Sequence, residues 1–516
     1  MNIDTRLADA WARLPDYLGS HVLVSITALA LGLGLSLPLA IASTRRPLLR
    51  GALLTVASVV QTVPGLALLA LFYPLLLALA ALSERLFGAS FSALGFLPSV
   101  LALALYSMLP VLRNTVAGLN GLDPSLRDAA RVVGMRPAQS LREIELPLAL
   151  PVIMAGIRTS AVWVIGTATL STPIGQTSLG NYIFTGLQTQ NWVYVSFGCV
   201  AAAVLALVVD QLLALMEHGV RARSRARVLA GGAGLALVVL AALAPLRAGA
   251  RATYVVGTEP FTEQSVLGAL IEQRLAAAGL PATRRDGLGS AVIFGALVAG
   301  DIDVYVSYSG TIWATRMHRS DVEPRGKVLA AVEDWLEKTQ GVRMLGSLGF
   351  EDAYALAMPR KKADALGITS IADLAAHAPQ LSIAGDYEFF ERPEWKALRA
   401  AYGLAFASQR TMQPDFMYQA AAAGEADVVS AYTSDGRIAK YDLKVLSDPK
   451  QAIPPYDAIV LLAPKRANDE KLAAALKPLI GAIDVETMRE ANLRASAGDV
   501  LPDEVARWLW GKTQKK

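Results

Sequence analysis

Few residues in this 516-residue chain are of types that carry covalent, redox or metal chemistry. The single cysteine, Cys199, lies in an apolar stretch, so no intramolecular disulfide is possible and a small packing role is expected of it. The four histidines, His21, His218, His318 and His377, are scattered without an HxxxH or CxxC pattern, and no metal site is expected. The pattern GxxxxGK[ST], which cradles nucleotide phosphates, does not occur; Gly511-Lys512-Thr513 lacks the upstream glycine and a following helix. Binding, rather than catalysis with a cofactor of its own, is the chemistry left to this chain. Its tyrosines are concentrated accordingly, ten of the 15 lying after residue 253.

The elements that must position these residues differ sharply between the two halves. A hydrophobic content of 53% and a mean hydropathy of +0.40 exceed those of an ordinary soluble protein, and the excess is confined to the first half. Six apolar stretches, at 22–43, 53–79, 91–112, 148–170, 193–215 and 228–246, are long enough to cross a bilayer. Three alternate loops are basic: Arg45, Arg46 and Arg50; Arg127, Arg131, Arg136 and Arg142; Arg221, Arg223, Arg225 and Arg227. Basic loops stay cytoplasmic, so the amino terminus and everything after the sixth span face outward. Stretch 228–246, followed by Ala248-Gly249-Ala250, also has the look of a signal peptide; behind five spans it is expected to remain as an anchor.

Residues 1–250 carry a net charge of +7 and the remainder −3, so the pI of 9.0 reflects membrane topology. Nucleic acid is excluded as a partner, because the second half lacks clustered basic residues interleaved with aromatics. From Thr253 onward, short β-branched runs at 254–257, 303–307, 353–358, 381–384, 426–431 and 458–463 alternate with helical patterns such as 263–277. That alternation predicts α/β layers around largely parallel sheets.

The cytoplasmic loop near 123–147 contains Asp128-Ala129-Ala130-Arg131-Val132-Val133-Gly134, then Ile144-Glu145-Leu146-Pro147. It resembles the EAA loop of ABC importer permeases, with Asp in place of the first Glu. The resemblance implies a coupling helix that docks on a separate ATPase chain, which would hold ATP and Mg. Asp128, Ala129, Ala130, Gly134, Ile144, Leu146 and Pro147 would form it. Gln61-Thr62-Val63-Pro64-Gly65-Leu66-Ala67-Leu68, the run from Glu145 to Arg158, and Leu179-Gly180 narrow the resemblance to the glycine betaine/choline/carnitine branch. Arg158, a charge inside a span, should face the bundle interior or snorkel. Pro64 and Gly65 should bend span two.

The second half resembles the substrate-binding protein of the same importers. The matching strings are Phe261-Thr262-Glu263-Gln264, Gly300-Asp301-Ile302-Asp303-Val304-Tyr305, Tyr308-Ser309-Gly310-Thr311, Gly349-Phe350-Glu351-Asp352-Ala353-Tyr354, Thr433-Ser434-Asp435-Gly436-Arg437-Ile438 and Pro454-Pro455-Tyr456. The implied layout is an all-α transmembrane permease bundle at 1–220, a basic linker and sixth span at 221–250, and an extracytoplasmic α/β two-lobed periplasmic-binding-protein-like domain at 251–516. Lobe I would comprise 251–359 and 459–516, lobe II 360–458, with a hinge that closes on ligand.

A quaternary ammonium has no N–H to donate and is best held by aromatic faces, each worth ~0.5–2 kcal/mol. Three or four rings plus a carboxylate contact reach roughly micromolar binding, ~8 kcal/mol. The resemblance implies that several of Tyr308, Tyr354, Tyr418, Tyr432 and Tyr456 form such a cage, with Tyr254, Tyr305, Tyr402 and Tyr441 structural. Gln264 and Thr311 are candidates for a ligand carboxylate, Gly287-Leu288-Gly289-Ser290 could supply amides with Ser290 as helix cap, and Asp303 either touches the cation edge or terminates a strand. Gly385-Asp386-Tyr387-Glu388-Phe389-Phe390-Glu391-Arg392-Pro393 is richer in aromatics and acids than simple betaine binders. Glu388 and Phe389 would suit a larger ligand, and the fused layout also resembles ergothioneine importers; the same loop could equally be surface.

The expected function is import of a betaine-type compound (glycine betaine, choline, carnitine or proline betaine) across the bacterial cytoplasmic membrane. The permease would pair as a homodimer. Ergothioneine import is the alternative of the same class; a ligand-sensing receptor without transport and an importer of polar amino acids are the others.

Overall fold

The computed structural model describes residues 3–88, 91–188, 191–248, 254–319, 321, 323–386, 388–496 and 500–514. Gly249 and Ala250 of the signal-like stretch, the domain start at Arg251 and Tyr387 of the aromatic loop lie outside these residues. The chain forms two compact units, a helical one over most of the first 249 residues and an α/β one beyond it.

The helical unit contains α1 (Ile3–Ser43), α2 (Pro47–Thr62), α3 (Gly65–Phe87), α4 (Phe96–Asn120), α5 (Pro124–Val132), α6 (Pro137–Ser140), α7 (Leu146–Ala168), α8 (Gly180–Gln188), α9 (Trp192–Arg221) and α10 (Arg225–Ala248). Among the described residues six helical segments are long and apolar enough to cross a membrane: Arg6–Ser43, Gly65–Phe87, Phe96–Asn120, Pro137–Ile174, Trp192–Arg221 and Arg225–Ala244. The chain is therefore a multi-pass membrane protein. Helix α4 is its centre, packed between α1 and α7 through Val24, Ala28, Val100, Leu103, Val164 and Ala168. Helix α10 instead leaves Leu229, Leu237 and Leu240 exposed, as a lipid-facing helix should.

The expected second span is broken rather than bent. Helix α2 stops at Thr62 and α3 starts at Gly65, because Pro64 lacks an N–H and disfavours helix in the residue before it. The carbonyl of Val63 is capped by the Tyr106 hydroxyl from α4, while Gln61 Nε2 donates to the Tyr106 carbonyl at 3.2 Å. A neighbouring helix thus satisfies a carbonyl at the break between α2 and α3. Arg158 of α7 reaches α9, where Nε and Nη2 hold both oxygens of Asp210 at 3.0 Å and Nη1 meets Glu217 at 2.9 Å. Asp210 and Glu217 lie seven residues apart on one helix face, and Arg158 is neutralised inside the bundle.

The α/β unit has two five-stranded sheets. The first, in the order β2-β1-β3-β10-β4, uses β1 (Tyr254–Gly257), β2 (Ala282–Arg285), β3 (Val304–Tyr308), β4 (Arg343–Glu351) and β10 (Asp457–Leu462). The second, in the order β7-β6-β8-β5-β9, uses β5 (Tyr354–Pro359), β6 (Ser382–Gly385), β7 (Ser408–Thr411), β8 (Val428–Tyr432) and β9 (Leu443–Val445). Strands β3 and β10 are buried throughout, which their apolar, β-branched sequences anticipate for the middle of a covered sheet.

Both sheets are mixed rather than largely parallel. The chain enters the second sheet on β5 and returns to the first on β10, and each of these strands runs antiparallel to both of its neighbours. Because β5 already belongs to the second sheet, the first crossover lies at Asp352–Ala353, before residue 360; the second lies between β9 and β10.

Candidate functional site

A cavity opens between the two sheets of the α/β unit. The loop after β1 and the start of α11 (Thr262–Ala277) bring Glu259, Phe261 and Glu263; the end of β3 brings Tyr308. The crossovers contribute Asp352, Tyr354 and Tyr456, and the second lobe contributes Glu388, Arg392, Tyr432 and Arg437.

Tyr354 is the hub of the rings. Its centroid lies 4.8 Å from Tyr432 and 6.1 Å from Tyr456, the latter nearly perpendicular, and Phe261 lies 6.2 Å from Tyr432. Their hydroxyls are occupied by protein partners. Tyr432 donates to Asp386 at 2.8 Å and stands 3.2 Å from the Tyr354 hydroxyl. Tyr456 donates to Glu394 and accepts from Arg392 Nη2 at 3.2 Å. Tyr308 donates to Glu263 at 2.5 Å. Hydroxyls fixed in this way hold the ring planes, and a held ring offers its negative face to a cation at little entropic cost.

Carboxyl groups supply the remaining electrostatics. Glu263 accepts from Tyr308, Ser434 and, at 2.7 Å, Asn492 Nδ2. Asp352 accepts from Ser434 N at 3.1 Å, and burial beside Glu263 pushes it well above the ordinary carboxylate range. Burial and the like charge of Glu388 raise Glu259 to about 8. Opposing these acids, Arg392 is paired with Glu394 at 3.1 Å and Arg437 with Asp435 at 2.6 Å. The cavity wall thus sets held aromatic faces, which suit a cation, beside acids that burial keeps protonated.

Of the residues expected at the site, Tyr308, Thr311, Tyr354, Tyr432, Tyr456 and Glu388 line the cavity. Four do not. Gln264 is buried behind it, its Nε2 donating to the Val306 carbonyl at 3.0 Å and the Tyr308 hydroxyl at 3.2 Å, so it positions a ring. Tyr418 lies under the Arg437 guanidinium, 4.5 Å from its ring centroid, and accepts from Tyr432 N at 3.2 Å. Phe389 is fully buried between Tyr354 and Trp395. Asp303 accepts from Val255 N at 2.7 Å and pairs with Arg466 at 2.9 Å and Lys465 at 3.0 Å, at the opposite end of β3 from Tyr308.

Asparagine at position 303 keeps the shape but loses the charge of this buried group. It is expected to cost about 2 kcal/mol of stability, seen as a lower unfolding temperature, with ligand affinity unchanged.

Ser290 is the first residue of α12 (Ser290–Val298) rather than its cap, which is Gly289; its hydroxyl turns to Glu259. Phe261, Glu263 and Arg392 lay within strings that the sequence offered. Asn492 carried no such signal, being 229 residues from Glu263.

In the helical unit, Asp123 caps α5 by accepting from Ser125 N at 2.9 Å. Gly134 ends it at φ +81°, with Met135 N bonded to the Ala130 carbonyl and Gly134 N to that of Arg131, both at 2.9 Å. This is the Schellman stop, which favours glycine in the left-handed region. Asp128 and Ala129 are exposed and Ala130 is buried, while Val132 and Val133 are 87% and 74% exposed. Ile144, Leu146 and Pro147 straddle a π-turn and the first turn of α7. Between them Glu145, unremarked in the sequence pattern, is buried against Arg127 at 2.9 Å and Ser140 at 3.1 Å, anchoring α5 to α7.

Two family descriptions match the chain: "Substrate binding domain of ABC-type glycine betaine transport system" over residues 252–511 and "Binding-protein-dependent transport system inner membrane component" over residues 32–222. The ergothioneine transport permease/ergothioneine binding protein of Helicobacter pylori is 29% identical over 478 residues, 89% of this chain and 83% of that protein. A choline transport system permease protein of Bacillus subtilis is 41% identical over 198 residues, 38% of this chain and 84% of that protein. A glycine-betaine-binding protein of Pseudomonas aeruginosa is 30% identical over 264 residues, 49% of this chain and 85% of that protein. The membrane half matches permeases and the other half matches binding proteins of one kind of system. The chain belongs to the osmoprotectant, betaine-type family of ABC importers, as a membrane permease fused to its extracytoplasmic substrate-binding domain.

Proposed function

We propose that the chain captures a quaternary ammonium compound of the betaine or choline type in the interlobe cavity and passes it through its membrane half. The observation that carries this reading is the set of rings, Phe261, Tyr308, Tyr354, Tyr432 and Tyr456, that line one cavity. ATP is hydrolysed, with Mg, on a separate ATPase chain that docks at α5, and two copies of the permease pair to complete the pathway. The bare apolar surface of Val132 and Val133 supports docking there, since exposed valines on a short cytoplasmic helix call for a partner. Reconstitution with the ATPase in liposomes tests the reading: a trimethylammonium ligand should stimulate hydrolysis and accumulate inside, whereas an unmethylated amino acid should do neither.

Ergothioneine, itself a trimethylammonium betaine, is the second ligand to test. The Helicobacter pylori relative matches this chain across both units, which favours its inclusion.

Valine at Gly134 forces a β-branched residue to φ +81°, at a cost of ~1–2 kcal/mol in the loop. Uptake should fall severalfold while ligand binding is unchanged. Unchanged cellular uptake with normal expression of Gly134→Val would mean that uptake does not run through this chain, and would favour a receptor that does not transport.

A further inference from the structure

The cavity has an end that does not suit a carboxylate. Glu259, in the loop between β1 and α11, is only 6% exposed and lines it. From its own lobe Ser290 Oγ approaches at 3.4 Å, and Tyr305 of β3 and Arg316 also face it; the Arg316 guanidinium lies over the Phe294 ring. From the other lobe come Glu388 and Arg392. Arg392 is largely committed elsewhere: Nε and Nη2 bond Glu394 at 3.1 and 3.3 Å, and Nη1 reaches Glu388 at 3.4 Å. Two acids from opposite lobes therefore share one space. Like charge would oppose closure on two carboxylates, so Glu259 keeps its proton until something between them donates hydrogen bonds.

We propose that Glu259, with Glu388 opposite, determines specificity by accepting a hydroxyl or ring N–H from the end of the ligand remote from its quaternary ammonium. The inference rests on the quaternary-ammonium reading and narrows it: compounds bearing a donor are selected over small betaines that end in a bare carboxylate. A donor between the acids favours the ionised form of Glu259, so binding releases its proton to solvent. Because burial and Glu388 hold the group at about 8, affinity rises with pH up to that value and then levels.

Titration calorimetry on the full chain in lipid nanodiscs tests this with choline (a hydroxyl), ergothioneine (a ring N–H) and glycine betaine (neither). Each is run near pH 6 and pH 8 in buffers of different ionisation enthalpy. A donor-bearing ligand should bind roughly tenfold tighter than glycine betaine and release a proton. Glu259→Gln, which keeps the shape of the side chain, should erase both the preference and the release. If Glu259→Gln does not fold, Glu388→Gln, at a half-exposed position, must reduce the preference severalfold. A wild-type preference for glycine betaine, or a preference and proton release untouched by these variants, overturns the inference and leaves the aromatic cage standing. Failure of the wild-type chain to bind any of the three overturns both.

Discussion

Alanine at both Tyr354 and Tyr432 is expected to weaken binding of a trimethylammonium ligand by roughly 100-fold, since each ring contributes ~0.5–2 kcal/mol and tenfold in affinity is ~1.4 kcal/mol. These two rings are the best placed to act together, with centroids 4.8 Å apart and Phe261 and Tyr456 flanking them. Two controls separate the ring electrostatics from simple loss of volume. Tyr354→Phe keeps the face and gives up only the hydroxyl beside Tyr432, so it should retain most of the affinity. Tyr354→Leu keeps apolar bulk without the face, and should lose nearly as much as alanine. A neutral tert-butyl analogue of choline, equal in shape to the cation, should bind the wild-type cleft poorly. Equal affinity for the analogue would mean that the cavity recognises shape, and the cation reading would fail.

Removing the Arg158 side chain should be the most damaging single change in the membrane half. Arg158→Ala leaves Asp210 and Glu217 facing the bundle without the guanidinium that bridges them. Deleting one partner of this part-buried cluster is expected to cost about 1–3 kcal/mol, because the buried Glu217 keeps its charge without the guanidinium. The expected result is a markedly lower unfolding temperature in detergent, with ligand binding by the α/β unit intact. Adding Asp210→Asn to the alanine variant should recover part of the loss, since it removes one stranded charge. If Arg158→Ala unfolds at the wild-type temperature, the cluster contributes nothing to the bundle and its role must be sought in transport. Arg221, at 2.6 Å from Glu217, keeps that carboxylate partly neutralised, which makes Asp210 the better rescue position.

The division between membrane and soluble halves was legible because it depends on local quantities. Twenty apolar residues mean the same wherever they fold, so the number of spans could be read without coordinates, although the second was placed across the break at Pro64. Strands that are mostly apolar and buried throughout, β3 and β10 above all, were legible for the same reason. Strand β4 was not: Gly346 and Gly349, at φ +136° and +112°, interrupt any alternation, and the strand exists through its pairing with β10. Strand β7 is exposed throughout and is held by β6 alone.

Within the site the sequence pointed to the tyrosines but could not say which face the cavity. Tyr418 and Tyr432 lie 14 residues apart, and only the packing of Arg437 on Tyr418 puts one behind the other. Asp303 just before β3 and Tyr308 at its end are five residues apart, yet the strand carries them to opposite ends of the sheet, where one meets arginine and lysine and the other the cleft. Position along a strand is local; what lies at each end is not. Composition, span lengths and family strings therefore established the membrane permease and its soluble ligand-binding half. The pairing of Arg158 with α9, the convergence of Glu259 and Glu388, and the choice of rings arose only on folding, because long-range contacts decide which polar groups share a space shielded from water.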